Sequence, residues 1–398
     1  MSDKKNEVDI SKLTFEQLKK IREYLKKLID NGGSDLHVKS KGIIRARVNG
    51  SIVPFSGSVL SYEDAMTLAK ELLRGRFSEF VENKEIDLVY QFDEGNRFRV
   101  NIFFQTDGPS FVFRIIPMLI PTIDQMKFPE IVRTLTKEGR GLVLVTGATG
   151  SGKSTTLAAM IHEINLTEKK HIVTIEDPIE FVHKDRGCVI NQRSVGQDTL
   201  SFGRALRAAL REDPDIILVG EMRDRETVEL ALHAADTGHL VFSTLHTIDA
   251  KETINRIIAM FPNEEQNRVR LSLSGVLKGV VSQRLIPTIE GKRVAAMEVL
   301  VKTPTIEKLI LENRDYEIRD AIEKGREYYK SQSFDQHILD IYNQGIITKE
   351  KAKDYATSAA DLELKMSGFN SGKASDFANM AEKKSKQEFS DDEVFDLK

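Results

Sequence analysis

The chain has very little cysteine and no long apolar run. Cys188 is the single cysteine among 398 residues, which excludes an intrachain disulfide and a multi-cysteine zinc site. No segment reaches the ~18 apolar residues that a membrane-spanning helix needs, and residues 1–9 lack the apolar core of a secretory signal. We therefore expect a cytoplasmic protein that is peripheral to a membrane only through a partner.

The chain also lacks an excess of charge of one sign. It carries 58 basic and 61 acidic side chains, so overall charge gives no reason to expect a nucleic acid or an anionic lipid as partner. A local basic patch stays possible. We predict no nucleic-acid partner.

The N-terminal part has mainly strand character. Apolar residues at three-to-four spacing predict a helix over 14–30, and Asn49-Gly50 between two β-prone runs predicts a hairpin. Further strands are expected at 86–92, 97–104 and 110–116. Strands without regular strand–helix alternation favour a small α+β domain.

A different pattern begins near residue 128. Short apolar runs at 141–145, 172–175, 216–219 and 240–243 alternate with helical stretches, which predicts a parallel sheet covered on both faces. From 263 to 359 the pattern predicts mostly helix, with one short strand at 294–299. The polar composition beyond 368 predicts disorder.

One loop carries the phosphate-binding pattern G-x-x-x-x-G-K-[ST] at 147–154. Glycines let backbone N–H groups curl around a triphosphate, and the following helix directs its positive end at the anion. Lys153 is expected to reach the β- and γ-phosphates and Ser154 to contact Mg²⁺. The predicted nucleotide-binding residues are Gly147, Ala148, Thr149, Gly150, Ser151, Gly152, Lys153, Ser154 and Thr155.

Acidic residues follow two of the apolar runs. Glu176 and Glu180 lie in the segment 174–180, and Glu221 closes 215–221. Carboxyl ends of parallel strands meet at the ligand-binding edge of a sheet, where carboxylates can hold the water around Mg²⁺ or activate an attacking water. Glu221 is the first choice for the base, with Glu180 and Glu176 as alternatives, and Glu180 is a candidate metal ligand beside Ser154.

A histidine follows the fourth run. His246 in segment 237–247 is placed by the same logic at the carboxyl edge, where it could sense the γ-phosphate through a hydrogen bond. A lone histidine is usually structural, but this one closes the sheet edge that carries the acidic residues.

Together these segments resemble the secretion ATPase superfamily of type II secretion and type IV pili. The resemblance covers about residues 10–365, and within this range segments 33–38 and 96–101 also look like the family. The pilus-retraction branch is the most similar, because the four-cysteine motif and longer N-terminus usual in extension and secretion members are lacking. Segment 317–322 resembles the helix motif associated with retraction, although it reads Glu-Ile-Arg-Asp where the family usually has Ala-Ile-Arg-Asn. Segment 334–336 and the extension after 359 are more similar to the accessory retraction paralogue. The sequence therefore leaves open whether the chain is the main or the accessory retraction motor.

The resemblance implies an α/β fold with a RecA-like P-loop ATPase domain, preceded by a small α+β, PAS-like domain. We place the N-terminal domain at 1–116, a linker at 117–122, the ATPase domain with its C-terminal helices at 123–367 and a tail at 368–398. The implied ligands are ATP and Mg²⁺. The implied assembly is a homo-hexamer at the inner membrane, with a pilus platform protein as partner and a paralogous retraction ATPase as an optional one.

A ring motor also needs cations near the γ-phosphate. Arg97, Arg99 and Arg114, on predicted strands of the N-terminal domain, are the candidates, although alternating arginines on a sheet face are commonly just solvated. Two other functions stay open: a nucleotide-binding regulatory subunit that hydrolyses little itself, and a nucleic-acid translocase or other P-loop enzyme such as a kinase.

Overall fold

The computed structural model describes residues 13–48, 50–93, 95–116 and 119–367. Contacts between backbone positions divide the chain into two compact units. The first contains the described part of 1–120 with the short segments 178–182 and 196–198, and the second contains the remainder. The predicted tail at 368–398 and residues 117 and 118 of the predicted linker lie outside the described residues.

An antiparallel sheet of six strands forms the first unit, in the order β3-β2-β1-β6-β5-β4. The strands are β1 (Gly33–Lys39), β2 (Ile43–Val48), β3 (Ser51–Val59), β4 (Glu85–Gln91), β5 (Arg97–Gln105) and β6 (Gly108–Ile116). The helices are α1 (Glu16–Asp30), α2 (Tyr62–Leu73) and α3 (Phe77–Asn83). Phe98, Val100 and Ile102 of β5 are buried in one hydrophobic cluster with residues of these helices, as expected for a sheet with one covered face.

The predicted helix and hairpin of this unit are present. α1 buries Leu18, Ile21, Leu25 and Leu28, which recur at the three-to-four spacing that lines one helix face. Val48 pairs with Ser51 across a two-residue connection; Gly50 has a φ of 82° there, while Asn49 lies outside the described residues. β1 was not predicted as a strand.

A seven-stranded sheet forms the centre of the second unit, in the order β13-β12-β7-β11-β10-β8-β9. Its strands are β7 (Gly141–Thr146), β8 (His171–Glu176), β9 (Val189–Ser194), β10 (Ile216–Val219), β11 (Leu240–Leu245), β12 (Leu277–Pro287) and β13 (Arg293–Val301). All neighbours run parallel except β12 and β13, which form an antiparallel pair at one edge.

Twelve helices accompany this sheet within the described residues. They are α4 (Glu130–Thr136), α5 (Lys153–Thr167), α6 (Phe202–Ala209), α7 (Arg225–Asp236), α8 (Ala250–Ala259), α9 (Asn263–Val276), α10 (Pro304–Leu311), α11 (Ile318–Lys324), α12 (Arg326–Tyr329), α13 (Phe334–Asn343), α14 (Lys349–Tyr355) and α15 (Ala359–Met366). None of the helices that the structure describes is long and apolar enough to cross a bilayer.

Both faces of this sheet are covered. Leu142 and Leu144 of β7 belong to one hydrophobic cluster, and Val143 and Val145 belong to another. Successive side chains of a strand point to opposite faces, so the two clusters lie on opposite sides. The four predicted apolar runs are all strands of this sheet, which confirms the α/β fold class.

The prediction of mostly helix between 263 and 359 was wrong over part of that range. Residues 277–287 form β12, which pairs in parallel with β7, and the predicted short strand at 294–299 belongs to the longer β13. β12 includes Lys278, Ser282, Gln283 and Arg284. These polar residues interrupt the apolar run by which a buried strand is otherwise found.

Glu298 of β13 makes the stability of this unit depend on pH. Its side chain is buried and accepts a hydrogen bond from the Ala250 backbone N–H at 2.9 Å. Burial, with a smaller contribution from Asp249, raises the pKa of Glu298 to about 7, against the opposing effects of that hydrogen bond, Arg284 and Arg319. The protonated form is therefore favoured in the folded state.

We expect the natural protein to lose stability as pH rises from about 4.5 to 7, because the buried Glu298 must then ionise. Glu298→Gln cannot ionise and should not show this loss. The difference in free energy of unfolding between the variant and the natural protein should therefore increase by on the order of 3 kcal/mol across this window, because one pKa unit corresponds to ~1.4 kcal/mol. Urea unfolding at pH 4.5 and pH 8 checks this, with the exposed Glu290→Gln as matched control. An advantage that stays constant between the two pH values contradicts the prediction.

Candidate nucleotide site

The loop between β7 and α5 has the backbone shape that the phosphate-binding pattern predicts. Gly147, Gly150 and Gly152 have φ values of 146°, 79° and 92°, which residues with a Cβ rarely adopt. Such left-handed positions let successive N–H groups converge on an anion. Gly152 directly precedes α5, so the positive end of that helix faces the same space.

Lys153 folds its ammonium group back over this loop. Its Nζ donates hydrogen bonds to the backbone oxygens of Gly147 at 2.9 Å and Ala148 at 3.1 Å, and the side chain is 9% exposed. A buried ammonium group next to convergent backbone N–H groups is a donor set suited to phosphate. The loop residues Ala148, Thr149 and Gly150 are exposed, so a ligand has access from that side.

Ser154 and Thr155 lie in the first turn of α5 and are both half-buried. The Ser154 hydroxyl is thus carried by the helix that begins at Lys153. A hydroxyl at this position can contribute one ligand to a Mg²⁺ ion that is otherwise held by phosphates and water.

Glu221 and His246 lie beside the loop. Because β10 and β11 are parallel neighbours with Val219 opposite Ser243, the residues that follow them reach the same edge of the sheet. His246 Nδ1 lies 3.4 Å from the Thr149 hydroxyl, and His246 Nε2 lies 3.6 Å from Glu221 Oε2. The structure thus brings together three segments that are far apart in the sequence.

The carboxylate of Glu221 is largely sheltered. Its side chain is 11% exposed, forms an ion pair with the exposed Arg223 and lies against the His246 ring. The loop that follows β10 is fixed to β11, since the Thr244 hydroxyl donates to the Gly220 oxygen at 2.7 Å and the Met222 N–H donates to the Thr244 oxygen at 3.1 Å. The backbone on both sides of Glu221 is therefore hydrogen-bonded to β11.

The other two predicted acidic residues have different described surroundings. Glu176, at the end of β8, accepts hydrogen bonds from the Thr174 hydroxyl at 2.6 Å and from Gln192 at 3.2 Å. Glu180 is exposed and lies in segment 178–182, which belongs to the first unit. Within the second unit, Glu221 is the predicted acidic residue that contacts His246.

The family of the chain follows from comparison with known proteins. A family model described as "Type II/IV secretion system protein" matches residues 16–353. The chain belongs to this family.

Two curated relatives from Pseudomonas aeruginosa are similar over most of their length. One, named type IV pilus retractation ATPase PilT, is 45% identical over 84% of this chain and 98% of its own. The other, named type IV pilus ATPase PilU, is 41% identical over 85% of this chain and 89% of its own. A solved structure described as the pilus retraction motor PilT with bound ADP has a TM-score of 0.80 at 42% identity and covers 86% of this chain and 98% of that one. The predicted family and its retraction branch are confirmed.

The three predicted arginines belong to the first unit of this family member. Arg114 of β6 pairs with the buried Asp35 at 2.7 Å, Arg99 of β5 lies 3.6 Å from Asp87, and Arg97 begins β5. Their action on a γ-phosphate stays a prediction.

Several polar side chains beneath the loop were missed by the sequence analysis. Ser282 and Gln283 of β12 contact the phosphate loop and the residues that flank it. The Thr146 hydroxyl lies 2.8 Å from that of Ser282, and Gln283 bonds to Ser151 and Thr156. Their signal was weak because β12 was not recognised as a strand. Once β12 is placed next to β7, its polar residues stand out as buried groups that need partners.

Proposed function

We propose that this chain is an ATP-hydrolysing motor subunit that powers type IV pilus retraction and hence twitching motility. The observation that carries the proposal is the contact of His246 with both the phosphate loop and Glu221, in a chain whose relatives include a retraction ATPase at 45% identity. A phosphate loop alone is shared by switches, kinases and motors. The additional carboxylate and histidine are groups that can orient or deprotonate a water molecule for hydrolysis.

The loop residues 147–155 bind the phosphates of ATP in this proposal. Lys153 exchanges its bonds to the Gly147 and Ala148 oxygens for bonds to the β- and γ-phosphates, where its charge is worth more. Ser154 contributes its hydroxyl to Mg²⁺, and Glu180 is the proposed second protein contact to that ion. Mg²⁺ bound with ATP supplies charge neutralisation on the phosphate oxygens.

Glu221 orients and deprotonates the attacking water. Its carboxylate is sheltered and fixed, and a preorganised base is more effective than a solvated one. His246 lies between Glu221 and the Thr149 hydroxyl, so its ring can exchange one of these partners for a γ-phosphate oxygen. Such an exchange lets the histidine report whether the terminal phosphate is present.

We further propose that the motor is a homo-hexamer that works at the cytoplasmic side of the inner membrane on a pilus platform protein. Arg97, Arg99 and Arg114 are the proposed cations that neutralise charge on the γ-phosphate, as arginines supplied by a moving element do in other phosphoryl-transfer enzymes.

A second candidate is the accessory retraction subunit, which acts together with a paralogous ATPase. The similarity to PilU at 41% identity over 85% of this chain favours it, as does the resemblance of segment 334–336. The two candidates differ in whether the purified chain hydrolyses ATP and whether it suffices for retraction alone.

The proposal is tested in a strain that lacks the gene for this chain, with and without a second retraction ATPase. We expect the deletion to abolish twitching while surface pili persist, because extension does not depend on a retraction motor. Restored twitching with the natural chain and not with Lys153→Ala, at equal protein levels, supports the motor. Normal twitching of the deletion strain that also lacks the second ATPase contradicts it.

A further inference from the structure

Strand β12 is a neighbour of β7, the strand that leads into the phosphate loop. It pairs in parallel with β7, and Ser282 lies opposite Thr146, the last residue of β7. Gln283 therefore lies where the neighbouring chain leaves the sheet and turns into the loop. Its side chain is 2% exposed, so its amide has to find partners inside the protein.

Both ends of the Gln283 amide bond to the nucleotide-binding segment. Nε2 donates to the Ser151 backbone oxygen at 2.5 Å, and Oε1 accepts a hydrogen bond from the Thr156 hydroxyl at 2.8 Å. Ser151 lies within the loop and Thr156 in the first turns of α5. One side chain thus spans from the loop to the helix that carries Lys153 and Ser154.

The glycines of the loop are packed against the same residue. A Cβ added at Gly147 would lie 2.6 Å from the backbone oxygen of Gln283, and one added at Gly152 would lie 3.0 Å from its Nε2. The first distance is shorter than real contacts of Cβ atoms. Gln283 therefore packs against the loop at both Gly147 and Gly152, in addition to its hydrogen bonds with Ser151 and Thr156.

We propose that Gln283 is a positioning residue that holds the phosphate loop in the shape that binds nucleotide. This inference rests on the proposed function, since it assigns a task at the ATP site. A glycine-rich loop has much conformational freedom to lose when it closes on a phosphate. The Gln283 amide removes part of that freedom before the ligand arrives, which is how preorganisation raises affinity.

Gln283→Met tests the proposal, because methionine has similar length but neither donates nor accepts as the amide does. We expect the Kd for ADP, measured by calorimetry with Mg²⁺ present, to rise about 10-fold, as loss of two hydrogen bonds of ordinary strength gives. The KM for ATP should rise similarly while kcat stays within about 3-fold, since Glu221 and His246 are untouched and the lost interaction serves ground state and transition state alike.

Gln332→Met is the matched control. Gln332 is also buried in the second unit, and its Nε2 donates to the Met297 backbone oxygen at 3.0 Å. This variant should lose a comparable amount of thermal stability and keep its Kd for ADP within about 2-fold. An equal weakening of ADP binding in both variants assigns the effect to general destabilisation and overturns the proposal.

Thr156→Val and Thr156→Ser provide a milder pair if Gln283→Met does not fold. Valine removes the hydroxyl that Gln283 accepts from, and serine keeps it. We expect an about 3-fold to 5-fold rise in the Kd for ADP with valine and recovery with serine, because one hydrogen bond is lost in place of two. Unchanged Kd values in folded Gln283→Met, or in Thr156→Val, overturn the proposal, whereas failure of the natural chain to bind ADP overturns the proposed function itself.

Discussion

Lys153→Ala is expected to lower ATP turnover at least about 100-fold and to remove measurable nucleotide binding. The expectation follows from the position of the Lys153 ammonium group, which is buried at the loop and held by the Gly147 and Ala148 oxygens. Each hydrogen bond to a charged group contributes roughly 1.5–3 kcal/mol, and ~1.4 kcal/mol corresponds to a tenfold change. Loss of two phosphate contacts should therefore weaken nucleotide binding more than 100-fold.

Turnover and ADP binding are measured on the purified variant, with Lys169→Ala as matched control. Lys169 is an exposed lysine of the same unit, so its removal changes the net charge equally and leaves the loop intact. The control should keep turnover and Kd within about 2-fold, as surface substitutions generally do. Turnover at the natural rate in Lys153→Ala would refute the assignment of the site.

Glu221→Ala is expected to separate binding from hydrolysis. ATP affinity should stay within about 3-fold, because the described contacts of Glu221 are with His246 and Arg223 and not with loop backbone. Hydrolysis should fall by about 10² to 10⁴, the range that a positioned base contributes. A single-turnover experiment with ATP measures the two quantities on one sample.

The exposed Glu264, in the first turn of α9, gives the matched control Glu264→Ala, which should hydrolyse at the natural rate. Normal hydrolysis by Glu221→Ala transfers the role of base to Glu180 or Glu176, and the same substitutions at these two positions then decide between them. Weakened ATP binding together with lost hydrolysis would instead show that Glu221 supports the loop structurally.

The strands that carry the site could be predicted because they are short, continuous and apolar. β7, β10 and β11 are buried throughout, as parallel strands covered on both faces are. The end of each such run identifies the ligand-binding edge, which is why the sequence alone predicts that Glu221 and His246 lie near the loop.

β12 could not be predicted, for a physical reason that concerns its polar residues. Ser282 and Gln283 are buried, and their hydrogen bonds go to Thr146, Ser151 and Thr156, more than 120 positions earlier in the chain. A short stretch of sequence shows that these residues are polar, but it does not show the distant residues to which they hydrogen-bond. Edge strand β9 was missed for a related reason, since its exposed and half-buried residues give no apolar run.

The sequence also could not predict which acidic residue has which contacts in the site. Glu176 and Glu221 both follow buried parallel strands, and the pattern treats them alike. The structure distinguishes them, because Thr174 and Gln192 bind Glu176 while Glu221 lies against His246. Such differences come from neighbours across the sheet.

A crystal structure of Glu221→Ala with ATP and Mg²⁺ is the most direct test of nucleotide binding at this loop. We predict the β- and γ-phosphates within hydrogen-bonding distance of Lys153 Nζ and of backbone N–H groups in 147–154, with His246 on the γ-phosphate side. ATP bound elsewhere on the chain, or His246 turned away from the terminal phosphate with the loop empty, would contradict the account.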